Sequence, residues 1–173
     1  MKNIIILLLL ISSSIYSKDK FYIGGNFSPN IIHFVGGASL DYIKDSTQFK
    51  LETGGDGTCL ACDCMDPQDS FIFLNTLIGY RISNKYTSLS VLGGVGIFKH
   101  VHYIKLLDSD SDSDSDKTSR WNSKKEITIS IPLEIEFGVN LNYIELGFSL
   151  YTQINNVNTI YGMAINIKFL LNP

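Results

Sequence analysis

Apolar and polar residues alternate along most of the chain after residue 20. The clearest stretch is residues 125–140, in which one face carries Ile127, Ile129, Ile131, Leu133, Ile135, Phe137 and Val139. A period of two places successive side chains on opposite faces of a β-strand. The same pattern predicts eight strands, at about residues 20–28, 33–44, 47–54, 70–82, 87–104, 125–140, 143–155 and 159–171.

The connections between the predicted strands differ in length in a regular way. Those after the second, fourth and sixth strands are short, whereas two long loops cover residues 55–69 and 105–124. In an up-and-down meander, odd-numbered and even-numbered connections emerge at opposite ends of the sheet. Both long loops are therefore expected at one end, and the short turns and both termini at the other.

This layout resembles that of the small eight-stranded outer-membrane β-barrels, of the kind seen in OmpX and in the membrane domain of OmpA. The resemblance is one of architecture and covers nearly all of the chain after residue 17. It implies an all-β fold, an eight-stranded antiparallel up-and-down transmembrane β-barrel built from a single domain at residues 18–173. It also implies that apolar faces contact outer-membrane lipid while polar side chains fill the interior.

A soluble barrel with the opposite orientation is the alternative. A lipocalin-like carrier turns its apolar faces inward around a small apolar ligand and exposes its polar faces to water. Here the polar faces are rich in Gly, Ser and Asn, for example Gly138, Gly147 and Ser149. Small residues of this kind suit a crowded interior better than a solvated surface, so the sequence favours the membrane barrel.

The first 17 residues have the features of a cleaved signal peptide. Lys2 precedes an apolar run at residues 4–11, and small residues follow up to Ser17. This run is too short to cross ~30 Å of hydrocarbon, so it predicts export rather than anchoring, with the outer membrane of a Gram-negative-type envelope as the destination. The formal net charge of -3 argues against nucleic acid as a partner.

Eight charged residues fall on the polar faces of the predicted strands: Asp41, Lys50, Glu52, Arg81, Glu134, Glu136, Glu145 and Lys168. Charges enclosed in a barrel must pair, because water is scarce there. An eight-stranded barrel is just wide enough to be filled by its own side chains, so these residues predict a packed ion-pair network rather than a pore. We expect Arg81 to pair with a carboxylate such as Glu134 or Glu145. Nothing in the pattern supplies a substrate cleft, so no enzyme activity, catalytic residue or cofactor is predicted.

Three cysteines in the first long loop, Cys59, Cys62 and Cys64, form a C-x-x-C-x-C pattern. In an exported protein two of them tend to oxidise, so a disulfide with one thiol left over is favoured. A soft-metal site that uses all three is the alternative. His100 and His102 share a face near the same rim, and two histidines with this spacing on a strand are usually polar rim residues.

Five aspartates alternate with serine in the second long loop: Asp108, Asp110, Asp112, Asp114 and Asp116. Carboxylate oxygens are the ligands that calcium prefers. The run nevertheless lacks the Gly and the Glu that an EF-hand loop has at its sixth and twelfth positions. We interpret it as a solvated loop with at most weak calcium binding.

The fifth and sixth predicted strands are longer than the ~9 to 11 residues that a tilted membrane strand needs, so they are expected to project beyond the bilayer. Pro132 removes one ladder hydrogen bond and predicts a bulge or local distortion in the sixth strand. An exposed two-stranded extension has an edge that can add a strand from a partner.

The sequence thus predicts a monomeric, non-enzymatic outer-membrane barrel whose outer loops serve adhesion or envelope integrity.

Overall fold

The computed structural model describes residues 19–29, 34–57, 70–106, 120–157 and 159–172. These residues form eight strands, each paired antiparallel with its neighbours along the chain, and β1 also pairs with β8 to close the barrel. The strands are β1 (Lys20–Pro29), β2 (Phe34–Lys44), β3 (Thr47–Gly57), β4 (Ser70–Ser83), β5 (Thr87–Leu106), β6 (Arg120–Leu141), β7 (Ile144–Ile154) and β8 (Ile160–Leu170). The predicted fold class is confirmed.

No helix in the described ranges is long and apolar enough to cross a membrane.

The alternation seen in the sequence separates an apolar exterior from a polar interior. On β6, Leu133 and Ile135 are 45% and 47% exposed. Glu134 and Glu136, which alternate with them along the strand, are 5% and 3% exposed. The same holds on β7, where exposed Phe148 and Leu150 flank buried Ser149. A lipocalin-like carrier needs its apolar side chains inside, so the structure contradicts that alternative.

Three short connections, at residues 45–46, 84–86 and 142–143, close the end of the barrel that holds the termini, and two of them are two-residue turns. Asp45 lies between paired Lys44 and Thr47, and Asn142 lies in the turn that leads from β6 to β7. Their φ angles are 54° and 55°. Asn and Asp tolerate this left-handed region better than other non-glycine residues, so both two-residue turns join their strands without a longer loop.

Strands β5 and β6 are the longest, with 20 and 22 residues. β6 begins at Arg120, five residues before the predicted start, because cross-strand pairing continues to Leu106↔Arg120 although the alternation has ended. β3 likewise continues to Gly57, which pairs with Phe34. The two long connections are therefore shorter than predicted, at residues 58–69 and 107–119, and both lie outside the described residues.

Pro132 interrupts the ladder between β5 and β6 without shifting it. The pairs Gly93↔Leu133 and Gly96↔Ser130 belong to one register, and the two positions between them are unpaired. The predicted distortion is present, but no extra residue is inserted, so it is not a bulge. Gly94 lies opposite the proline. The close packing of β5 against β4 requires glycine at this position, since a Cβ there would lie 2.0 Å from the carbonyl oxygen of Thr76.

Candidate functional site

The eight charged residues predicted for the interior all point into the barrel, and each is 8% exposed or less. Lys50 lies at the centre of this group. Its Nζ is 2.6 Å from Glu134 Oε2, 2.8 Å from Glu136 Oε1 and 2.9 Å from Glu52 Oε2. One ammonium group on β3 thus joins two carboxylates that arrive from β6, on the far side of the barrel.

Lys168 extends this group towards β2. Its Nζ lies 2.7 Å from Glu136 Oε2 and 3.2 Å from Asp41 Oδ1. Gln48, which the sequence analysis missed, donates from Nε2 to Asp41 Oδ1 at 2.6 Å and to Glu136 Oε2 at 3.1 Å. Its position on the polar face of β3, two residues before Lys50, is the signal that would have found it.

Arg81 and Glu145 form a separate ion pair nearer the end with the short turns. Arg81 Nη1 donates to Glu145 Oε1 at 3.3 Å, and Arg81 Nη2 donates to Glu145 Oε2. The guanidinium also lies 5.8 Å from the ring centroid of Tyr22. Of the two carboxylates expected to pair with Arg81, the structure places Glu145 against it, in the two-pronged geometry that arginine favours.

Apolar side chains also fill the interior, a feature that the sequence analysis missed. Phe73, Leu77, Leu92 and Phe98 are 7%, 1%, 2% and 0% exposed. They lie on the same faces of β4 and β5 as the buried polar residues, so the two-residue period alone identifies them as inward. The interior is therefore a packed core with both ionic and apolar parts.

Strands β5 and β6 form an extension beyond the rest of the barrel. Pairing between β6 and β7 begins at Ile131↔Ile154, so in the described part of the chain residues 120–130 form a strand ladder with β5 alone. At the base of this segment, the Ser130 hydroxyl accepts a hydrogen bond from Gln153 Nε2 of β7 at 2.9 Å. Ile127 and Ile129 on the outer face of this segment are 72% and 76% exposed. An open strand edge beside an exposed apolar face is a surface on which a further strand can pair.

The inner face of the extension carries stacked rings and an ion pair. The rings of Phe98 and His100 are 6.4 Å apart, and those of His100 and His102 are 6.2 Å apart. Opposite them, Lys124 Nζ lies 2.6 Å from Glu126 Oε1, and this contact lowers the pKa of the Glu126 carboxyl. The face is thus polar and aromatic, in contrast to the aliphatic outer face.

Three groups of predicted residues lie outside the described residues. They are the signal peptide at residues 1–17, the three cysteines Cys59, Cys62 and Cys64, and the aspartates Asp108, Asp110, Asp112, Asp114 and Asp116.

The pairing of the extension makes a specific prediction for proteolysis. Lys99 is paired on both sides, with Ile72 and Ile127, and Lys105 is paired with Trp121. Trypsin added to vesicles that contain the folded protein should therefore cut only between residue 107 and Arg120. The same protein unfolded in urea should be cut at Lys99 and Lys105 as well. Rapid cutting at these two lysines in the folded protein would contradict a paired extension.

Comparisons with known proteins agree with this architecture. No protein-family model matches the chain, and no curated protein sequence matches it. Among solved structures, Ail, the attachment invasion locus protein of Yersinia pestis, matches with a TM-score of 0.56 and 13% identity, over 88% of this chain and 96% of Ail. The N-terminal β-barrel domain of Pseudomonas aeruginosa OprF matches with a TM-score of 0.57 and 12% identity, over 87% and 96%. Neisserial surface protein A matches with a TM-score of 0.54 and 7% identity, over 87% and 94%.

The closed eight-stranded meander, its apolar exterior and these structural neighbours define the class of fold. The chain has the fold of the small eight-stranded outer-membrane β-barrels, as the sequence predicted.

Proposed function

We propose that this protein is a monomeric, non-enzymatic outer-membrane β-barrel of a Gram-negative-type envelope, exported by residues 1–17, and that it binds a surface partner through the β5–β6 extension. The observation that carries the membrane assignment is the band of exposed apolar side chains around a polar, ion-paired interior. In lipid, a closed barrel satisfies every backbone hydrogen bond between its strands. Ail is an outer membrane protein and Neisserial surface protein A is a surface protein, which supports the same location.

The extension supports the role in surface interaction. Its strand edge at residues 120–130 offers backbone groups to an extended peptide, and Ile127 and Ile129 offer apolar contacts to its side chains. Ail, whose name refers to attachment, has also been crystallised with the heparin analogue sucrose octasulfate. We therefore favour adhesion by strand addition over a role confined to envelope integrity.

A charge placed on the outer face tests membrane insertion by its dependence on depth. Leu150 lies near the middle of β7 and Ile154 at its outer end, and both are exposed. Leu150→Arg should lower the free energy of unfolding by about 2–4 kcal/mol in lipid vesicles, and Ile154→Arg by only about 0–1 kcal/mol. Urea unfolding followed by circular dichroism, which reports on the whole sheet, measures both. Equally small effects would show that this face contacts water.

Proline substitutions test the open edge of β6. Along an edge strand, successive N–H groups point alternately towards the neighbouring strand and towards solvent. Of Lys124→Pro and Lys125→Pro, one therefore breaks a hydrogen bond to β5. The other removes a backbone N–H that points away from β5 and leaves the pairing with β5 intact. Cells that display this variant should attach to epithelial cells at least tenfold less, while the trypsin pattern stays native. Lys124→Ala and Lys125→Ala keep both N–H groups and serve as matched controls. Full attachment by both proline variants would exclude strand addition at this edge.

A further inference from the structure

The edge of β6 is open over residues 122–127, whose side chains the structure describes. In that part of the chain, these residues pair with β5 on one side and with no strand on the other. The next residue, Thr128, donates a hydrogen bond from its hydroxyl to Asn156 Oδ1, so the open edge ends there. The side chains of Lys124 and Glu126 on this edge are 66% and 35% exposed. An open edge of this kind is a template for another strand.

The sequence of this edge is complementary to itself. When two identical strands pair antiparallel around a twofold axis, each residue faces the residue at the same distance on the other side of the central position. With Lys125 at the centre, Lys124 of each copy lies opposite Glu126 of the other, on the same face of the sheet. Cross-strand pairs of opposite charge stabilise a sheet, and like charges directly opposite each other destabilise it.

One other twofold register pairs five residues within the open edge, and its charges do not match. With Lys124 at the centre, the two Lys124 side chains oppose each other, and Glu126 lies opposite Asn122. The register centred on Lys125 also brings two like charges together, those of Lys125 itself. It adds two pairs between Lys124 and Glu126, which the other register lacks. The charges therefore favour the register centred on Lys125.

The direction of the strands determines where the second copy stands. Antiparallel pairing points the two β5–β6 hairpins in opposite directions, whereas all copies in one membrane project the same way. Barrel strands also tilt by about 35–45° from the membrane normal, so two copies related by rotation about that normal present their edges at a large angle. The pair can therefore form only between two membranes that face each other.

We propose that the open edge of β6 binds the same edge of a second copy of this chain in an opposing membrane. The inference rests on the proposed function, because it uses the strand edge assigned there and names a second copy as its partner. The two hairpins join into one four-stranded sheet, and each barrel remains a monomer in its own membrane. About 20 Å of strand separates Lys125 from Ile131, where the pairing of β6 with β7 begins. The two barrel mouths are thus no more than about 40 Å apart.

Nanodiscs that each hold one barrel leave both faces of the membrane accessible, so they test this pairing directly. The full mature chain is incorporated into such discs, association is measured by sedimentation velocity over a wide range of concentration, and electron microscopy shows how the discs are arranged. Lys124→Glu and Glu126→Lys reverse the two charges of the pair. Lys99→Glu makes the same charge change as Lys124→Glu, but on β5 and away from the open edge, and is the matched control. An unchanged trypsin pattern verifies the fold of each variant.

Wild-type discs should associate into face-to-face pairs with a gap of no more than about 40 Å. Discs with Lys124→Glu and discs with Glu126→Lys should each stay single. An equal mixture of the two should pair, because the carboxylates of one variant then lie opposite the ammonium groups of the other. Lys99→Glu should pair like the wild type. Lys125→Ser, which removes the like charges at the centre, should lower the concentration needed for pairing by about threefold.

The outcomes separate this inference from the proposed function. Wild-type discs that stay single at every concentration would overturn the inference alone, because attachment to epithelial cells involves a different partner. Pairing that survives Lys124→Glu, or a mixture of the two charge variants that stays single, would also overturn it. A chain that does not enter the discs would overturn the membrane assignment and this inference together.

Discussion

Replacing Lys50 with Met should lower the free energy of unfolding by about 3–5 kcal/mol or more, the largest effect that we expect from one interior substitution. The change removes the ammonium group that contacts Glu52, Glu134 and Glu136, all of which stay buried. Breaking a buried ion pair by removing one partner typically costs this amount, and here three carboxylates lose a contact at once. Urea unfolding in lipid vesicles provides the measurement.

The control for this prediction is a lysine in an exposed ion pair. Lys124→Met removes the partner of Glu126 on the extension, where water screens the charge, and should leave the unfolding midpoint unchanged. Adding Glu52→Gln and Glu134→Gln to Lys50→Met should recover much of the lost stability, because these two stranded charges are removed with their partner while Glu136 keeps its ion pair with Lys168. If Lys50→Met unfolds at the same urea concentration as the wild type, the network does not stabilise the barrel.

Replacing Arg81 with Met should lower the free energy of unfolding by about 3–5 kcal/mol, because it strands the buried carboxylate of Glu145. This pair involves a single carboxylate, so we expect a smaller loss than for Lys50→Met. The double variant Arg81→Met/Glu145→Leu removes both charges and replaces them with apolar groups. Buried ion pairs replaced in this way are often neutral in stability, so the double variant should unfold close to the wild type. An equal loss in the single and double variants would show that the effect comes from packing rather than charge.

The two-residue period in the sequence was sufficient to predict the strands and the direction of most side chains. Side-chain alternation is a local property of extended backbone, so Glu134 and Ile135 could be assigned to opposite faces without knowledge of any partner strand. The same reasoning separated Asp41 and Lys50 from the lipid-facing residues. For the two turns at Asp45 and Asn142, the short distance between strands left little choice of geometry.

The partners of these charges could not be predicted, because they depend on closure of the barrel and on its stagger. Lys50 and Glu134 are 84 positions apart in the chain and meet only when β3 and β6 face each other across the interior. The two-residue period places Phe98 on the inward face, but it was missed because an apolar residue on an otherwise polar face was not recognised as part of a packed interior. The start of β6 at Arg120 was missed because pairing with β5 holds a strand there without alternation.

The unbroken register of the β5–β6 hairpin has a consequence for how far the second long loop stands from the membrane. Residues 120–130 pair with β5 alone, and the register is the same on both sides of Pro132. Removing two residues from each strand beyond the last pair with β4, Ser70↔Val101, such as the opposed segments 103–104 and 122–123, keeps every remaining pair and the alternation between the two faces. Each such step lowers the loop by about 7 Å of strand length. The length of the hairpin can thus be changed in steps of two residues per strand. A peptide tag inserted at residues 107–119 can be set at a chosen distance from the lipid surface while the barrel stays unchanged.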